Sequence, residues 1–136
     1  MNNIEQTLSI IKPDAVERNL DNEIKEIFKN KGFSIVKEKK IQIEKSEAEK
    51  FYKVHETKPF YSDLCTYLSS GPIVVMVLEK NNAVLENREI MGATNPKDAD
   101  EGTIRKKYGI SIDKNSVHGS DSVENAKIEI EFFFKD

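Results

Sequence analysis

Apolar runs alternate with amphipathic stretches along the chain, and their order predicts a layered α+β or α/β domain. Thr7–Ile11 and Ile73–Glu79 are mostly apolar and predict buried strands, whereas Phe33–Ile43 alternates as a strand with one exposed face does. Apolar residues at helical spacing predict four helices, over Asn22–Lys31, Ser46–His55, Tyr61–Ser69 and Asn82–Met91. Strands and helices in this order form a sheet with helices packed on it.

Capping residues and glycines mark the predicted helix ends. Ser46–Glu49 has the capping-box pattern, and Asn82 can cap a later helix. Gly32 and Gly92 follow two of the helices and indicate where they stop. The polar segment Ala93–Ser120 contains several glycines and predicts a long loop, which in a compact domain usually has a functional role.

The C-terminal stretch Ser122–Phe134 fits two patterns. Lys127–Phe132 alternates as a strand does, but apolar residues also recur at helical spacing over Val123–Phe133. Because Asp121 or Ser122 can cap a helix at this point, we expect a helix.

Length and composition predict one cytoplasmic domain over residues 1–136. The longest apolar run, Ile73–Leu78, is far shorter than the roughly 18 residues of a membrane span. Met1–Glu5 has neither the basic nor the apolar region of a signal peptide. The single cysteine, Cys65, cannot form an internal disulfide, which is typical of a reducing compartment.

The charge pattern disfavours a nucleic-acid-binding protein but draws attention to the arginines. The net charge is −3, whereas a broad nucleic-acid-binding surface needs a basic excess. The chain has 18 lysines but only three arginines, Arg18, Arg88 and Arg105. Only arginine offers a planar, bidentate fork, so these positions are candidates for phosphate or carboxylate contacts. Arg18 has no further support and is interpreted as part of a structural ion pair.

Several common catalytic motifs are absent from the sequence. There is neither a phosphate-binding P-loop nor a dinucleotide-binding glycine fingerprint. His55 and Glu56 are not followed by the second histidine of a zinc protease, and Cys65 lies in an apolar, helix-like setting typical of a core residue.

The most conspicuous remaining candidate is His118, which precedes a glycine and a predicted helix. A neutral imidazole can act as nucleophile or base near pH 7, although a histidine in this setting also fits an ordinary loop residue. Arg88 and Arg105 can bind phosphate oxygens, and Thr94 and Asn115 can hydrogen-bond to phosphate or ribose. Lys12 ends a predicted strand, where ligands often bind. Each of these residues, taken singly, is more typical of a solvated surface than of a ligand contact.

Six segments together resemble the nucleoside diphosphate kinase family over nearly the whole chain. The most specific is Asn115–Asp121, around His118; the others are Thr7–Asp14, Lys58–Phe60, Ser69–Gly71, Asn87–Pro96 and Gly102–Arg105. The resemblance implies an α+β, ferredoxin-like sandwich, with a four-stranded antiparallel sheet covered by helices. The apolar pattern predicts three of those strands, and the resemblance implies the fourth near Ser116–His118.

The resemblance also implies the reaction. The γ-phosphate of a nucleoside triphosphate would pass to a nucleoside diphosphate by a ping-pong mechanism, through a phosphohistidine, with Mg²⁺ carried on the nucleotide phosphates. His118 corresponds to the phosphorylated residue, Glu129 to the acid that orients it, and Ser120 to its support. Around the nucleotide, the corresponding residues are Lys12, Tyr52, Arg88, Arg105 and Thr94 at the phosphates, Asn115 and Lys12 at the ribose, and Phe60, Leu64 and Ile112 at the base. A stacking ring without a polar base contact would accept every base.

The sequence departs from the family pattern at a few positions. Lys58 stands where many members have arginine, Tyr61 where many have phenylalanine, and Glu101 where proline is common. We expect a weaker contact at Lys58 and a looser loop at Glu101, without loss of the chemistry. The resemblance also implies a homo-oligomer, either a tetramer or a hexamer. The sequence ends at Asp136, without the longer tail that helps to hold subunits together in many eukaryotic members, so both assemblies stay open.

Two alternatives come from other functional classes. A binding module on the same fold, either a nucleotide sensor or a regulatory member of the family without activity, would not become phosphorylated. An RNA-binding domain on the same general fold would need exposed sheet aromatics and a basic face, which the sequence does not predict.

Overall fold

The computed structural model describes residues 4–111 and 114–134, and the strands within them form one antiparallel sheet. The strands are β1 (Ile4–Ile11), β2 (Ser34–Ile41), β3 (Ile73–Asn81) and β4 (Val117–Gly119), in the spatial order β2-β3-β1-β4. This confirms the four-stranded antiparallel sheet and the α+β class. β1 pairs along its length with β3, and its C-terminal end pairs with β4, with Ile10 opposite His118.

Helices cover both faces of the sheet. They are α1 (Pro13–Glu17), α2 (Asp21–Asn30), α3 (Lys45–Phe51), α4 (Tyr61–Leu68), α5 (Ala83–Met91), α6 (Ile104–Tyr108) and α7 (Val123–Phe134). The crossover helices α2 and α5 pack on one face, where Phe28 and Met91 meet Met76 of β3. Helices α3, α4 and α7 cover the other face, where Leu68 and Phe133 join Ile10 of β1. An RNA-binding domain would instead leave one sheet face exposed.

The alternation of side chains across β1 explains where the chemistry lies. Successive residues point to opposite faces, so Ile11 belongs to the core under α2 and α5, whereas Ile10 belongs to the core under α3, α4 and α7. His118 lies opposite Ile10 in β4, so its side chain points to the α3, α4 and α7 side. The ring packs edge-on against Phe51 at the end of α3, with 5.3 Å between ring centroids.

The predicted elements are found, with corrections at their ends. The apolar pattern does not predict β4, because this strand is three residues long and lies in a polar, glycine-containing segment. It forms because it pairs with the C-terminal end of β1. The capping box predicted at Ser46 was placed wrongly, since Glu44 and Glu47 make that reciprocal pair. The α3 helix also stops at Phe51, and a short 3₁₀ turn follows.

The C-terminal helix and its cap are confirmed. The α7 helix spans Val123–Phe134, and the Asn125 backbone N–H donates to the Ser122 hydroxyl at 3.1 Å. Two short helices, α1 and α6, lie where no helix was predicted. No helix among residues 4–111 and 114–134 combines the length and the apolar character that a membrane crossing requires.

Candidate active site

A cleft of about 540 Å³ opens beside the C-terminal end of β1, next to β4. Most of the residues proposed from the sequence line it: Lys12, Tyr52, Phe60, Leu64, Arg88, Thr94, Arg105, Asn115 and His118. They come from five regions of the chain: the end of β1, the segment from the end of α3 into α4, α5 with the loop after it, α6, and β4 with the residues just before it. Ser120 and Glu129 stand behind His118, and Ile112 lies outside the described residues.

The imidazole of His118 is held by one carboxylate. Its Nε2 lies 3.0 Å from Oε1 of Glu129, and the Ser120 hydroxyl donates to the same oxygen at 2.8 Å. A carboxylate only accepts hydrogen bonds, so Nε2 carries the proton in the neutral ring. Nδ1 is then the nitrogen with a free lone pair. The Ser120 hydroxyl in turn accepts from the Leu8 backbone N–H at 3.3 Å, which ties this group to β1.

Arg105 is a buried cation with part of its hydrogen-bonding capacity committed to the backbone. Its two terminal nitrogens donate to the Gly92 carbonyl at 3.0 Å and the Val117 carbonyl at 2.9 Å. Burial, helped by the neighbouring Arg88, lowers the pKa of Arg105 to about 10. An anion between the two guanidinium groups would offset both the burial and the repulsion, which makes this end of the cleft suited to phosphate.

Lys12, Asn115 and Thr94 form a hydrogen-bonded row along one wall. The Lys12 ammonium donates to Oδ1 of Asn115 at 2.9 Å, and Nδ2 of Asn115 donates to the Thr94 carbonyl at 3.0 Å. Lys12 and Asn115 are both buried. Their side chains therefore have defined orientations, although 103 residues separate them in the sequence.

Tyr52 contributes a neutral hydroxyl to the cleft. Burial, with the negative charge of Glu129 as the next cause, raises the pKa of Tyr52 well above its usual value. The phenol therefore stays protonated at all physiological pH values and can donate a hydrogen bond to an anionic ligand.

The opposite end of the cleft offers an aromatic surface. Phe60 is 42% exposed, so much of its ring is accessible to a ligand. The His55 ring lies 6.0 Å from it, the Lys58 ammonium lies 5.8 Å from its centroid, and Leu64 adds to the lining. A flat, accessible ring beside a cationic pocket matches a ligand with a planar base at one end and phosphates at the other.

The profile of the nucleoside diphosphate kinase family matches residues 5–136. The chain belongs to this family. It is similar to the nucleoside diphosphate kinases of Campylobacter jejuni (58% identity, covering 97% of this chain and 96% of the relative) and Persephonella marina (55%, covering 96% and 94%). The crystal structure of the Aquifex aeolicus nucleoside diphosphate kinase matches it with a TM-score of 0.95 and 39% identity, over 97% of this chain and 96% of that one.

Membership of the nucleoside diphosphate kinase family identifies the chain as an enzyme that transfers phosphate between nucleotides. The sheet order β2-β3-β1-β4 is the ferredoxin-like arrangement that the sequence resemblance implied. The nucleotide-sensor alternative loses its basis, because the named relatives are kinases over nearly their full length.

Four further residues line the kinase cleft and are not among the candidates from the sequence: His55, Met91, Gly119 and Asp121. For His55 a signal was available, since it lies three residues after Tyr52, on the same side of the helical turn. Met91, by contrast, looks like any core residue in the sequence. Arg18 stays outside the cleft and pairs with Asp14 at 3.1 Å, the structural ion pair expected for it.

The described residues provide no cage for a metal ion. None of their His, Cys, Asp and Glu side chains gather in groups of three or more. Among the described residues that line the cleft, Asp121 supplies the only carboxylate. A hard divalent cation needs about six oxygen ligands, so one bound in this cleft would take most of them from water or from a bound ligand.

Proposed function

We propose that His118 carries the phosphoryl group between nucleotides in a ping-pong reaction. Nδ1 attacks the γ-phosphorus of a nucleoside triphosphate, the bond from that phosphorus to the β-phosphate oxygen breaks, and the nucleoside diphosphate leaves. A second diphosphate then attacks the phosphohistidine and restores Nδ1. The observation that carries this proposal is the bond from Nε2 to Glu129, since it leaves the Nδ1 lone pair for attack.

The cationic residues would act by position and charge. Phosphoryl transfer has a loose transition state with negative charge on the equatorial oxygens. Arg88 and Arg105 meet this charge at one end of the cleft, and Lys12 meets it from the wall. Tyr52, kept protonated, adds a hydroxyl donor. Glu129 stabilises the positive charge that develops on the His118 ring during attack.

Broad base specificity follows from the aromatic end of the cleft. Every base has a π-face, and stacking contributes about 1–3 kcal/mol without selecting among bases. Phe60 offers such a face, with Leu64 beside it and Ile112 as a further proposed apolar contact. Asn115 and Lys12 would hold the ribose, and Thr94 a phosphate.

We also propose Mg²⁺ as the metal, bound mainly through the phosphates, with Asp121 the nearest carboxylate of the cleft. The ion would neutralise phosphate charge.

The whole chain, residues 1–136, would act as one catalytic domain of a cytoplasmic homo-oligomer, with a tetramer and a hexamer as the two candidates. Native mass spectrometry of the intact protein distinguishes these assemblies.

Labelling with γ-³²P-ATP tests the phosphohistidine directly. We expect the protein to take up label that resists alkali and is lost in acid, and to release it when unlabelled diphosphate is added. His118→Ala should take up none. The matched control is His55→Ala, which removes the other histidine of the same cleft and should still become labelled. Label that survives in His118→Ala, or that resists acid, contradicts the proposal.

A further inference from the structure

A buried carboxylate lies directly behind the cleft, outside the machinery described so far. Asp14 is the second residue of α1, which follows Lys12. Its side chain is only 3% exposed, and three side chains donate hydrogen bonds to it, those of Arg18, Tyr67 and Ser116. None of these four residues lines the cleft. Both oxygens of the Asp14 carboxylate therefore accept hydrogen bonds from the protein, which suits a group that holds other residues in place.

Ser116 has a backbone conformation that side chains rarely adopt. Its φ is +77°, and the Val117 N–H donates to the Asn115 carbonyl across it at 3.0 Å. An i to i+2 hydrogen bond around a residue with φ near +75° marks a strained γ-turn. A residue other than glycine held in a sparsely populated region of this kind persists only where its surroundings enforce it.

The surroundings of Ser116 enforce this turn from two sides. Its hydroxyl donates to Oδ2 of Asp14 at 2.9 Å, and Arg18 donates to the same carboxylate oxygen at 3.1 Å. Its carbonyl accepts the Lys12 backbone N–H at 2.8 Å. Ser116 is completely buried, so water cannot replace these partners without opening the structure.

The turn at Ser116 lies between the residues that hold Lys12 and the strand that carries His118. On one side of the turn, Oδ1 of Asn115 accepts a hydrogen bond from the Lys12 ammonium at 2.9 Å. Val117, on the other side, begins the strand that carries His118. A change in the Ser116 backbone would therefore move the Asn115 side chain, and with it the Lys12 ammonium, relative to the His118 ring. In an active site, a misplacement of about 1 Å can lower the catalytic rate about a hundredfold.

We propose that Asp14 is a positioning residue: through the Ser116 hydroxyl it holds the γ-turn that aligns Asn115 and Lys12 with His118. This role rests on the proposed function of those three residues. Asp14 itself does not line the cleft. Tyr67 bonds to the other carboxylate oxygen, so its hydroxyl stabilises Asp14 without contacting the turn.

Two substitutions at Ser116 separate positioning from general stability. Ser116→Ala removes the bond to Asp14 and keeps the Cβ that strains the turn. Ser116→Gly also removes the bond, but glycine adopts positive φ without that strain. The matched control is Tyr67→Phe, which removes a hydrogen bond to the same carboxylate away from the turn. Each variant is assayed well below its melting temperature for kcat and KM, and for ADP affinity by calorimetry.

We expect Ser116→Ala to lower kcat/KM by more than about threefold and to weaken ADP binding, because the Lys12–Asn115 row loses its alignment. Ser116→Gly should regain a clear part of both losses, whereas Tyr67→Phe should lower the melting temperature and leave kcat/KM within about threefold of the parent. The proposal is overturned if kcat/KM of Ser116→Ala stays within about threefold of the parent, or if Ser116→Gly regains neither kcat/KM nor ADP affinity. It is also overturned if Tyr67→Phe lowers kcat/KM as much as Ser116→Ala does. Labelling of the parent protein at His118 is a separate result, so failure of the proposed function is recognised independently.

Discussion

Replacing Glu129 with glutamine tests whether the charge behind His118 contributes to catalysis. Glutamine has nearly the same size and keeps an oxygen that can accept from Nε2, so the geometry can survive. Only the negative charge is lost. In the native site one oxygen accepts both the Nε2 proton at 3.0 Å and the Ser120 hydroxyl at 2.8 Å.

The magnitude follows from the change in hydrogen-bond type. As Nδ1 forms its bond to phosphorus, the ring becomes positive, and the bond to Glu129 becomes one between two charged groups. Such bonds contribute about 1.5–3 kcal/mol, against about 0.5–1.5 kcal/mol for neutral pairs. Both side chains are only 20% exposed, so water screens the pair weakly. Losing the charge should therefore cost about 1–2 kcal/mol in the transition state, which slows phosphorylation about five- to thirtyfold.

The assay is single-turnover labelling from γ-³²P-ATP with rapid acid-free quenching, at saturating nucleotide, so that phosphorylation itself is timed. Ser120→Ala is the matched comparison, because it removes the other hydrogen bond to the same oxygen and keeps the charge. It should slow labelling less than Glu129→Gln does. A Glu129→Gln rate within about threefold of the parent, or a slower rate for Ser120→Ala, would refute the argument from charge.

Other changes test the rest of the site. Phe60→Ala should raise KM about fivefold or more for every base, because stacking is lost; steady-state assays that show a loss confined to purines would contradict this. Arg105→Lys should lower kcat/KM about tenfold although the charge is kept, because one ammonium group cannot replace a guanidinium that also donates to the Gly92 carbonyl. A steady-state kcat/KM equal to that of the parent would contradict the proposed role of the guanidinium. Gly119→Ala should lower the melting temperature by several degrees, since its Cβ would lie 2.3 Å from Nδ2 of the buried Asn87; calorimetry that finds equal stability would contradict this packing. Pyrophosphate should raise the melting temperature more than chloride at matched ionic strength, because it relieves the buried positive charge, and equal shifts would exclude a specific anion site.

Sequence patterns predict the long elements of this fold well because burial repeats along them. β3 is buried on both faces over its first six residues, so its apolar run is continuous. β4 has no such pattern, since His118 and Gly119 make up most of it. Its existence depends on the free edge of β1, a property of the assembled sheet and not of the three residues themselves.

In the active site, too, some residues can be predicted from a local sequence signal and others depend on contacts between distant parts of the chain. The scarcity of arginine drew attention to Arg88 and Arg105, and both line the cleft. The contact between Asp14 and Ser116 joins residues 102 positions apart, and no local pattern indicates it. His55 is an intermediate case: its position three residues after Tyr52 is a local signal, but only the fold brings its ring beside Phe60.

The sheet order has a consequence for how the enzyme is made in the cell. Lys12 leaves the ribosome 103 residues before its partner Asn115, a delay of roughly 5–20 s at ordinary rates of synthesis. During that time β1 has no β4 beside it, although β3 is synthesised before Asn115. A nascent chain therefore cannot capture nucleotide, and the earliest possible moment of binding comes only when the last strand has emerged and closed against the first.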